Sequence, residues 1–448
     1  MRQGRTEKMA VRLMTKGSPI KNIVLFAFPL LWGNLFQQLY NIADTLIVGN
    51  FLGNNALAAV SSSGNLIFMM VSLLNGIGMG CGVVIARFFG AGDIQKLRRA
   101  MHTALMFGLL CGLALSAAAP LAAPVILRLI GTPAEVFPLS VTYFRIYFMG
   151  AAASVLFNMQ MGILQSLGDS RHPVLFLTVS ASLNILLDLL FIGVMGFGVG
   201  GAAVATVMTQ FLSAALCFRQ LLKNPADYQV VPREIRIHRD MLKQILVNGI
   251  PAGIQNSIIA IANVFVQSNI NRFGPMAMAG CGSYSRVEGL VFIPVMCFTQ
   301  ALVTFVGQNL GAGEKDRAWR GGLAGTLIAM ATAGVIGILV IIFSPYLIGA
   351  FGGEPEAVAI GIREAHINPA FFALLAFSHC MAAIQRGAGH SMVPMFIMMV
   401  VWCFIRVSYI AVTVRFIPRI EVVFWAYPLT WGISSVIFLV IFLRRKWL

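Results

Sequence analysis

The sequence carries little charge for its length. Asp, Glu, Lys and Arg make up 11% of the 448 residues, against about 25% in soluble proteins. Hydrophobic residues make up 58%, and the mean hydropathy is +0.84. This composition excludes an ordinary soluble domain and indicates a polytopic membrane protein.

Common signatures of metal and covalent chemistry are also missing. The seven cysteines lie within or at the edges of apolar runs, without paired spacing or accompanying histidine ligands, so we interpret them as packing residues. There is no HExxH zinc helix and no GxSxG elbow. The GAGD and GAGE loops, at 90–93 and 311–314, lack the Lys and the Ser or Thr of a phosphate-binding loop. We therefore expect neither an enzyme nor a bound cofactor.

Basic residues are in excess but are not clustered. The net charge is +16, yet the Lys and Arg residues sit between the apolar runs and not in one patch, which argues against a nucleic-acid partner. The loops on one side of the predicted spans hold only Arg128, Arg272, Arg415 and Arg419. The positive-inside rule therefore predicts that both termini are cytoplasmic. The expected partner of the chain is the lipid bilayer, not a nucleic acid.

Apolar runs of roughly 20 residues recur along the whole chain, each long enough to cross a bilayer core of about 30 Å. We count twelve. The predicted spans are approximately 22–48, 57–82, 100–120, 136–160, 173–195, 199–219, 241–269, 280–306, 321–343, 361–384, 393–414 and 422–443. The predicted fold class is therefore an all-α polytopic membrane protein with twelve transmembrane helices.

The two halves of the chain repeat one another. RFFGAGDIQKLRRA (87–100) aligns with QNLGAGEKDRAWRG (308–321), and LQSLGDSRHPVLF resembles AIQRGAGHSMVPMF, at an offset of about 221 residues. Six spans per half give repeats of the same orientation, hence two six-helix lobes related by a pseudo-two-fold axis along the membrane normal. The predicted segments are a cytoplasmic N-terminal segment (1–21), an N-lobe (22–219), a cytoplasmic linker (220–240), a C-lobe (241–443) and a cytoplasmic tail (444–448).

Asp44 lies inside the first predicted span. A charge at depth in hydrocarbon costs a few kcal/mol, so such a residue normally faces an aqueous cavity or a partner and marks a transport path. Asn34, Gln37, Asn41 and Asp44 share one helix face, with Tyr40 flanking. The alternative for an amide such as Asn34 is a hydrogen bond that joins two helices.

The residues resemble the multidrug and toxic compound extrusion (MATE) family. The resemblance covers nearly the whole chain and is carried by FPLLWGNLFQQLYNIADTLIVG, the twin GAG loops, LQSLGDSRHP, and YSRVEGLVFIP followed by VTFVGQNLGAGE. It implies twelve helices in two lobes, alternating access, and efflux of cationic, lipophilic compounds in exchange for Na⁺ or H⁺.

The resemblance also implies where the coupling ion binds. Residues that match ion or cavity positions of the family are Asp44 (first helix), Asn184 and Asp188 (fifth helix), Thr206 (sixth helix), and Gln37, Tyr40 and Asn158 (cavity lining). Another branch of the family carries an acid in helix seven. The aligned stretch, IPAGIQNSIIAIANVF, contains none, which argues against coupling through the C-lobe.

Helix geometry agrees with this N-lobe assignment. Asn184 and Asp188 are four residues apart and share a helix face. The helical rise puts Asp44, Asp188 and Thr206 at similar depths, roughly 8 to 12 Å from the outer ends of their spans. Carboxylates, an amide oxygen and a hydroxyl are the ligands that hard cations prefer.

The second half carries different polar residues. At the repeat-equivalent positions of the two N-lobe carboxylates stand Phe265 and Tyr409. Glu288, in the eighth span, is a third intramembrane acid, and Arg286 lies nearby in sequence. Both a structural ion pair and a role in the cavity stay open for Glu288.

We therefore expect a cation-coupled multidrug exporter, a monomer in a bacterial-type plasma membrane, that acts on cationic small molecules. The alternative is a lipid-linked precursor flippase of the related fold group, which must accept a polyanionic headgroup. Asp44 and Asp188 disfavour an anionic cargo. The choice between Na⁺ and H⁺ stays open, because the same carboxylates serve both ions.

Overall fold

The computed structural model describes residues 13–223, 228–351 and 353–445, without the side chains of residues 62, 64–66, 68 and 69. Every regular element in these ranges is a helix. Residues 1–12 of the predicted N-terminal segment, 224–227 of the predicted linker and 446–448 of the predicted tail lie outside the described residues.

The described residues of the first half form six α-helices. They are α1 (Pro19–Ala91), α2 (Ile94–Leu129), α3 (Phe137–Met149), α4 (Ala151–Ser166), α5 (Arg171–Asp188) and α6 (Gly198–Lys223). A π-helical segment, Leu189–Val194, continues α5 directly after Asp188. Helix α1 holds two predicted spans and is interrupted at Gly53, whose φ of 79° is accessible to glycine at little cost.

In the second half, the described residues form eight α-helices and a second π-helical segment. The helices are α7 (Arg239–Asn271), α8 (Pro275–Gly311), α9 (Lys315–Gly349), α10 (Pro355–Ile367), α11 (Phe372–Gly387), α12 (Met392–Met398), α13 (Arg406–Phe416) and α14 (Glu421–Leu443). The π-helical segment Met399–Ile405 joins α12 to α13. A short 3₁₀ turn, Pro369–Phe371, separates α10 from α11.

The helices account for the predicted spans, although not with one helix to each span: α1 holds two spans, and α3 with α4, α10 with α11, and α12 with α13 each form one. Within the described ranges, eleven helical segments are long and apolar enough to cross a membrane, and α3 with α4, bent by 52°, makes the twelfth. The prediction of an all-helical chain with twelve spans is thus confirmed. Several helices run past their predicted ends; α2 has 36 residues, for example, where 100–120 was predicted. The backbone hydrogen bonds of a helix can continue through polar residues beyond the apolar stretch. Hydropathy alone does not reveal such an extension.

Contacts divide the chain into two compact units. The first unit consists mainly of Trp32–Ile250, and the second consists of Met14–Leu31 with Pro251 and the residues that follow. The changes from one unit to the other lie within α1 and α7, close to Pro29 and Pro251. Proline removes a helical hydrogen bond, so each of these helices is weakened near the point where its packing partners change.

The part of the predicted linker that the structure describes is fixed to α2. Three contacts hold it there: Glu234 Oε2 lies 2.7 Å from Arg98 Nη2, the N–H of Val231 donates to His102 Nε2 at 3.1 Å, and the N–H of His238 donates to Thr103 Oγ1 at 3.0 Å. This polar segment is therefore bound within the first unit.

Each unit has its own apolar core. The first unit has two clusters, one around Cys81, Met101 and Leu164 and one around Phe144 and Phe148. A cluster in the second unit includes Cys281, Ile410 and Phe424. All seven cysteines are free and are buried or half-buried, in agreement with their interpretation as packing residues.

The repeat is visible in the backbone. Glycines with positive φ recur 221 residues apart, as Gly53 and Gly274, Gly92 and Gly313, and Gly168 and Gly389. The break between α3 and α4 at Gly150 likewise matches the 3₁₀ turn that ends at Phe371. Both halves thus turn the chain at equivalent places.

Helices α8 and α10 approach closely at two glycines. A Cβ on Gly280 would lie 2.3 Å from the carbonyl oxygen of Ala357, and a Cβ on Gly361 would lie 2.8 Å from the carbonyl oxygen of Gly280. Small residues at such crossings let helix backbones meet in membrane proteins.

We predict that Gly280→Ala lowers stability, because the added methyl group must displace the backbone of α10. Overpacking of this kind costs roughly 1–3 kcal/mol. The matched control is Gly282→Ala on the same helix, where nothing lies within 4 Å of the new Cβ. The apparent melting temperature of purified protein should fall for Gly280→Ala and hold or rise for the control; equal melting temperatures would contradict the close approach.

Candidate functional site

Two acids from different helices meet in the first unit. The carboxyl groups of Asp44 on α1 and Asp188 at the end of α5 lie within hydrogen-bonding range of one another. Asp188 is 0% exposed and Asp44 is half-buried. Ionised carboxylates are acceptors only, so this contact requires a proton between the two groups or a cation in its place.

Asn184 supports Asp188 from one turn earlier on α5. With the amide oriented so that both of its atoms have partners, Asn184 Nδ2 donates to Asp188 Oδ2 at 2.6 Å. Its oxygen accepts the backbone N–H of Thr206 on α6 at 3.1 Å. Asn184 is 1% exposed, so this amide fixes the Asp188 carboxyl against α6 in a water-poor environment.

Thr206 and Tyr40 also belong to this polar group. The Thr206 hydroxyl donates to the carbonyl of Ala202 at 3.0 Å, which leaves its lone pairs free to accept or to ligate. Tyr40, one turn before Asp44 on α1, lies within hydrogen-bonding range of the Thr206 side chain and near both carboxyls. The four predicted ion-site residues and Tyr40 therefore form one connected cluster.

Tyr143 on α3 belongs to the same cluster, although no sequence pattern indicates it. Its side chain is 7% exposed and lies near Asp44, Asp188 and Tyr40. A buried tyrosine inside a predicted span was the available signal. Nothing in the spacing of α3, however, indicates that it faces α1.

Two carboxyl oxygens of the cluster lack a hydrogen-bond donor among the described residues. Oδ1 of Asp44 and Oδ1 of Asp188 are buried and have no hydrogen-bond partner in the part of the chain that the structure describes. Buried acceptors without a partner are uncommon in folded proteins and costly. Together with the Thr206 hydroxyl, they provide oxygen atoms suited to a hard cation.

The remaining cavity candidates lie outside this cluster. Gln37 and Asn41 are exposed on α1, and Asn41 Nδ2 donates to Gln38 Oε1 at 3.1 Å. Asn158 on α4 is half-buried and donates to the carbonyl of Ser154 at 2.8 Å. Asn41 and Asn158 therefore make local contacts on their own helices.

Glu288 lies on α8 in the second unit, beside a small cavity that Phe292 and Phe372 also line. Its nearby cation is Arg406. Arg286 points elsewhere: its guanidinium lies 5.5 Å from the ring centre of Phe351. The sequence neighbour is thus not the partner, because residues two apart on a helix do not face each other.

Comparison with known proteins assigns the family. The MatE family model matches residues 29–190 and 251–412, which are the two halves of the repeat. The chain is 30% identical to the probable multidrug resistance protein YoeA of Bacillus subtilis, over 87% of this chain and 85% of the relative. It is 27% identical to an FAD transporter of Shewanella oneidensis, over 76% of each chain.

The fold comparison agrees. A solved MOP superfamily transporter from Pyrococcus furiosus, whose binding pocket is described as having reverse polarity, superimposes with a TM-score of 0.91 at 25% identity and covers 98% of both chains. The protein is therefore a multi-pass membrane transporter and not an enzyme. It belongs to the MATE family.

We predict that Asn184→Ala destabilises the protein, because Asp188 loses its amide donor while staying buried. Leaving a buried polar group unsatisfied costs roughly 1–3 kcal/mol. Ser182→Ala, at an exposed position on the same helix, is the control. Thermal unfolding in detergent should show a lower melting temperature for Asn184→Ala alone; a loss of equal size in both variants would remove Asn184 from the cluster.

Proposed function

We propose that this transporter is a secondary active multidrug exporter that moves cationic, lipophilic compounds out of the cell in exchange for Na⁺ or H⁺. The coupling ion binds at Asp44, Asn184, Asp188 and Thr206. The observation that carries the proposal is the buried contact between the two carboxyl groups, which needs a proton or a cation to hold it together.

The charge of this cluster favours a cationic cargo. The cluster contains two acids and no basic residue; its members are Asp44, Asp188, Asn184, Thr206, Tyr40 and Tyr143. An anionic cargo would meet repulsion there unless both acids were neutralised first. This argues against a flippase for a polyanionic lipid headgroup, and against a flavin dinucleotide such as the relative from Shewanella carries in its name.

Competition for the carboxyl pair couples transport of the drug to transport of the ion. An ion that arrives from outside neutralises the pair and removes the negative charge that attracts the drug, so the drug is released. The unloaded pair is negative and captures the next drug from inside. Pro29, fifteen residues before Asp44 on α1, is the proposed bending point that lets the helix respond to occupancy.

The membrane arrangement follows from the charge distribution. We propose a bacterial-type plasma membrane with both termini in the cytoplasm, because the Lys and Arg residues concentrate in the loops of that side. We further propose that one chain suffices for transport, since the ion cluster lies wholly within the first unit.

Transport by purified protein in liposomes tests the proposal. A fluorescent cationic dye is loaded, and a Na⁺ gradient or a pH gradient is imposed separately. We expect dye movement driven by at least one gradient and none for an anionic dye or FAD. Movement of the anionic compounds alone would overturn the proposed cargo.

The variants should follow a defined order in this assay. Asp188→Asn should abolish coupled transport while the protein stays folded, because the amide keeps the shape but cannot release a proton or balance a cation. Glu288→Gln should impair transport less than Asp44→Asn does, since Glu288 lies outside the carboxyl pair and near Arg406. Asp240→Asn, an exposed acid at the start of α7, is the control. Near wild-type transport by Asp188→Asn at matched expression would exclude this site.

A further inference from the structure

A second buried polar cluster lies in the second unit. On α8, Cys281, Tyr284 and Glu288 fall at spacings of three and four residues and share one face. On the facing helix, Glu364 lies near the end of α10 and Asn368 follows one turn later. The close approach of these helices at their glycines brings the two faces together.

Three polar side chains of this cluster each have an oxygen atom without a well-aligned hydrogen bond in the described part of the chain, although they are almost fully buried. Glu364 is 5% exposed, Asn368 is 1% exposed and Tyr284 is 0% exposed. Glu364 Oε1 accepts a long hydrogen bond from Asn368 Nδ2 at 3.4 Å. Glu364 Oε2, Asn368 Oδ1 and the Tyr284 hydroxyl make no well-aligned hydrogen bond to any described residue, although the Asn368 side chain lies within reach of the Tyr284 hydroxyl. Such groups normally signal a missing partner.

No basic side chain among the described residues forms an ion pair with Glu364. Arg363, its neighbour in sequence, points away and pairs with Glu421 at 2.7 Å on an exposed surface. The charged side chain that acts most strongly on Glu364 is Glu288, which is also an acid. The Cys281 thiol provides only a weak hydrogen bond. An ionised carboxylate enclosed in this way is unfavourable without a counter-charge.

The one buried arginine of the neighbourhood is occupied elsewhere. Arg406 donates to Thr430 Oγ1 from Nε at 3.2 Å and from Nη2 at 2.7 Å, and its guanidinium lies 4.4 Å from the ring centre of Tyr427. It balances Glu288 electrostatically. An ionised Glu364 would therefore have no counter-charge among the described residues.

The position of this cluster in the repeat is informative. The offset of 221 residues places Glu364 opposite Tyr143, Asn368 opposite Tyr147, and Tyr427 opposite Thr206. Tyr143 and Thr206 belong to the carboxyl cluster of the first unit. The second unit thus holds an acid at an equivalent place in the fold, although it lacks acids at the positions of Asp44 and Asp188.

We propose that Glu364, Asn368 and Tyr284 form a second cation-binding site, which holds Na⁺ or a proton within the second unit. The three oxygen atoms are the chemical match for Na⁺. A proton would instead reside on Glu364 and be donated to Asn368 Oδ1. The titratable groups that interact electrostatically with Glu364 are Cys281, Tyr284 and Glu288 from α8 and Tyr427 from α14. Arg406 from α13 acts on it only through Glu288. His366, on the same helix as Glu364, is instead hydrogen-bonded to Ser344 of α9.

Direct Na⁺ binding tests the first form of the site. The purified full chain with Asp44→Asn and Asp188→Asn has lost the first cluster's carboxylates, so binding of radioactive Na⁺ to it reports on the second site alone. We expect saturable binding that Glu364→Gln abolishes and Tyr284→Phe weakens by about tenfold or more. Glu356→Gln, an exposed acid in the first turn of α10, is the matched control and should bind Na⁺ unchanged.

Infrared difference spectra between acidic and alkaline solution test the second form. In the same double variant, a protonated carboxyl group gives a C=O band that is lost when the group ionises. We expect a band that disappears in Glu364→Gln and persists in Glu356→Gln. If Glu364→Gln does not fold, the Tyr284→Phe and Asn368→Ala variants should shift this band or lower the Na⁺ affinity.

Absence of both signals contradicts the proposal. The Asp44→Asn, Asp188→Asn protein would then bind no Na⁺, and its carboxyl bands would be the same with and without the second-site substitutions. Because binding and not transport is measured, this result would leave the proposed exporter function untouched.

Discussion

The contact between the Asp44 and Asp188 carboxyl groups is the constraint on which the site depends. Two acids cannot remain in contact inside an apolar bundle while both are ionised and bare, because repulsion and lost hydration act in the same direction. Asn184 fixes one acid to α6, and Tyr40 ties α1 to Thr206. The carboxyl pair and Asn184 therefore link three helices, and in the proposed mechanism occupancy of the pair by a proton or a cation determines whether that link is stable.

Duplication of the chain has preserved the turns and not the chemistry. Glycines with positive φ recur at the same offset in both halves, since these backbone conformations exclude most other residues. The acids do not recur: Asp44 matches Phe265, while Glu364 matches Tyr143. A shared scaffold with different polar residues is what the two proposed ion sites, one in each half, require.

Much of the fold was predictable from the sequence, because an apolar run of sufficient length has few alternatives to a membrane-spanning helix. The relation of Asn184 to Asp188 also followed, since a spacing of four residues fixes a common face. Contacts between helices were less accessible. Periodicity does not show that Tyr143 faces Asp44 or that Arg406, and not Arg286, balances Glu288. Glu364 lies inside a predicted span, but its position near the span's end, beside Arg363, is equally typical of a residue at the membrane boundary.

Competitive binding tests the central claim most directly, that the coupling ion and the drug exclude one another at the carboxyl pair. A fluorescent cationic drug is titrated into purified protein at several Na⁺ concentrations and several pH values, with ionic strength held constant. We predict that drug affinity falls as Na⁺ or H⁺ rises, and that drug lowers the ion's affinity by the same factor, as linkage requires at equilibrium. A drug affinity that is indifferent to both ions would contradict mutually exclusive occupancy.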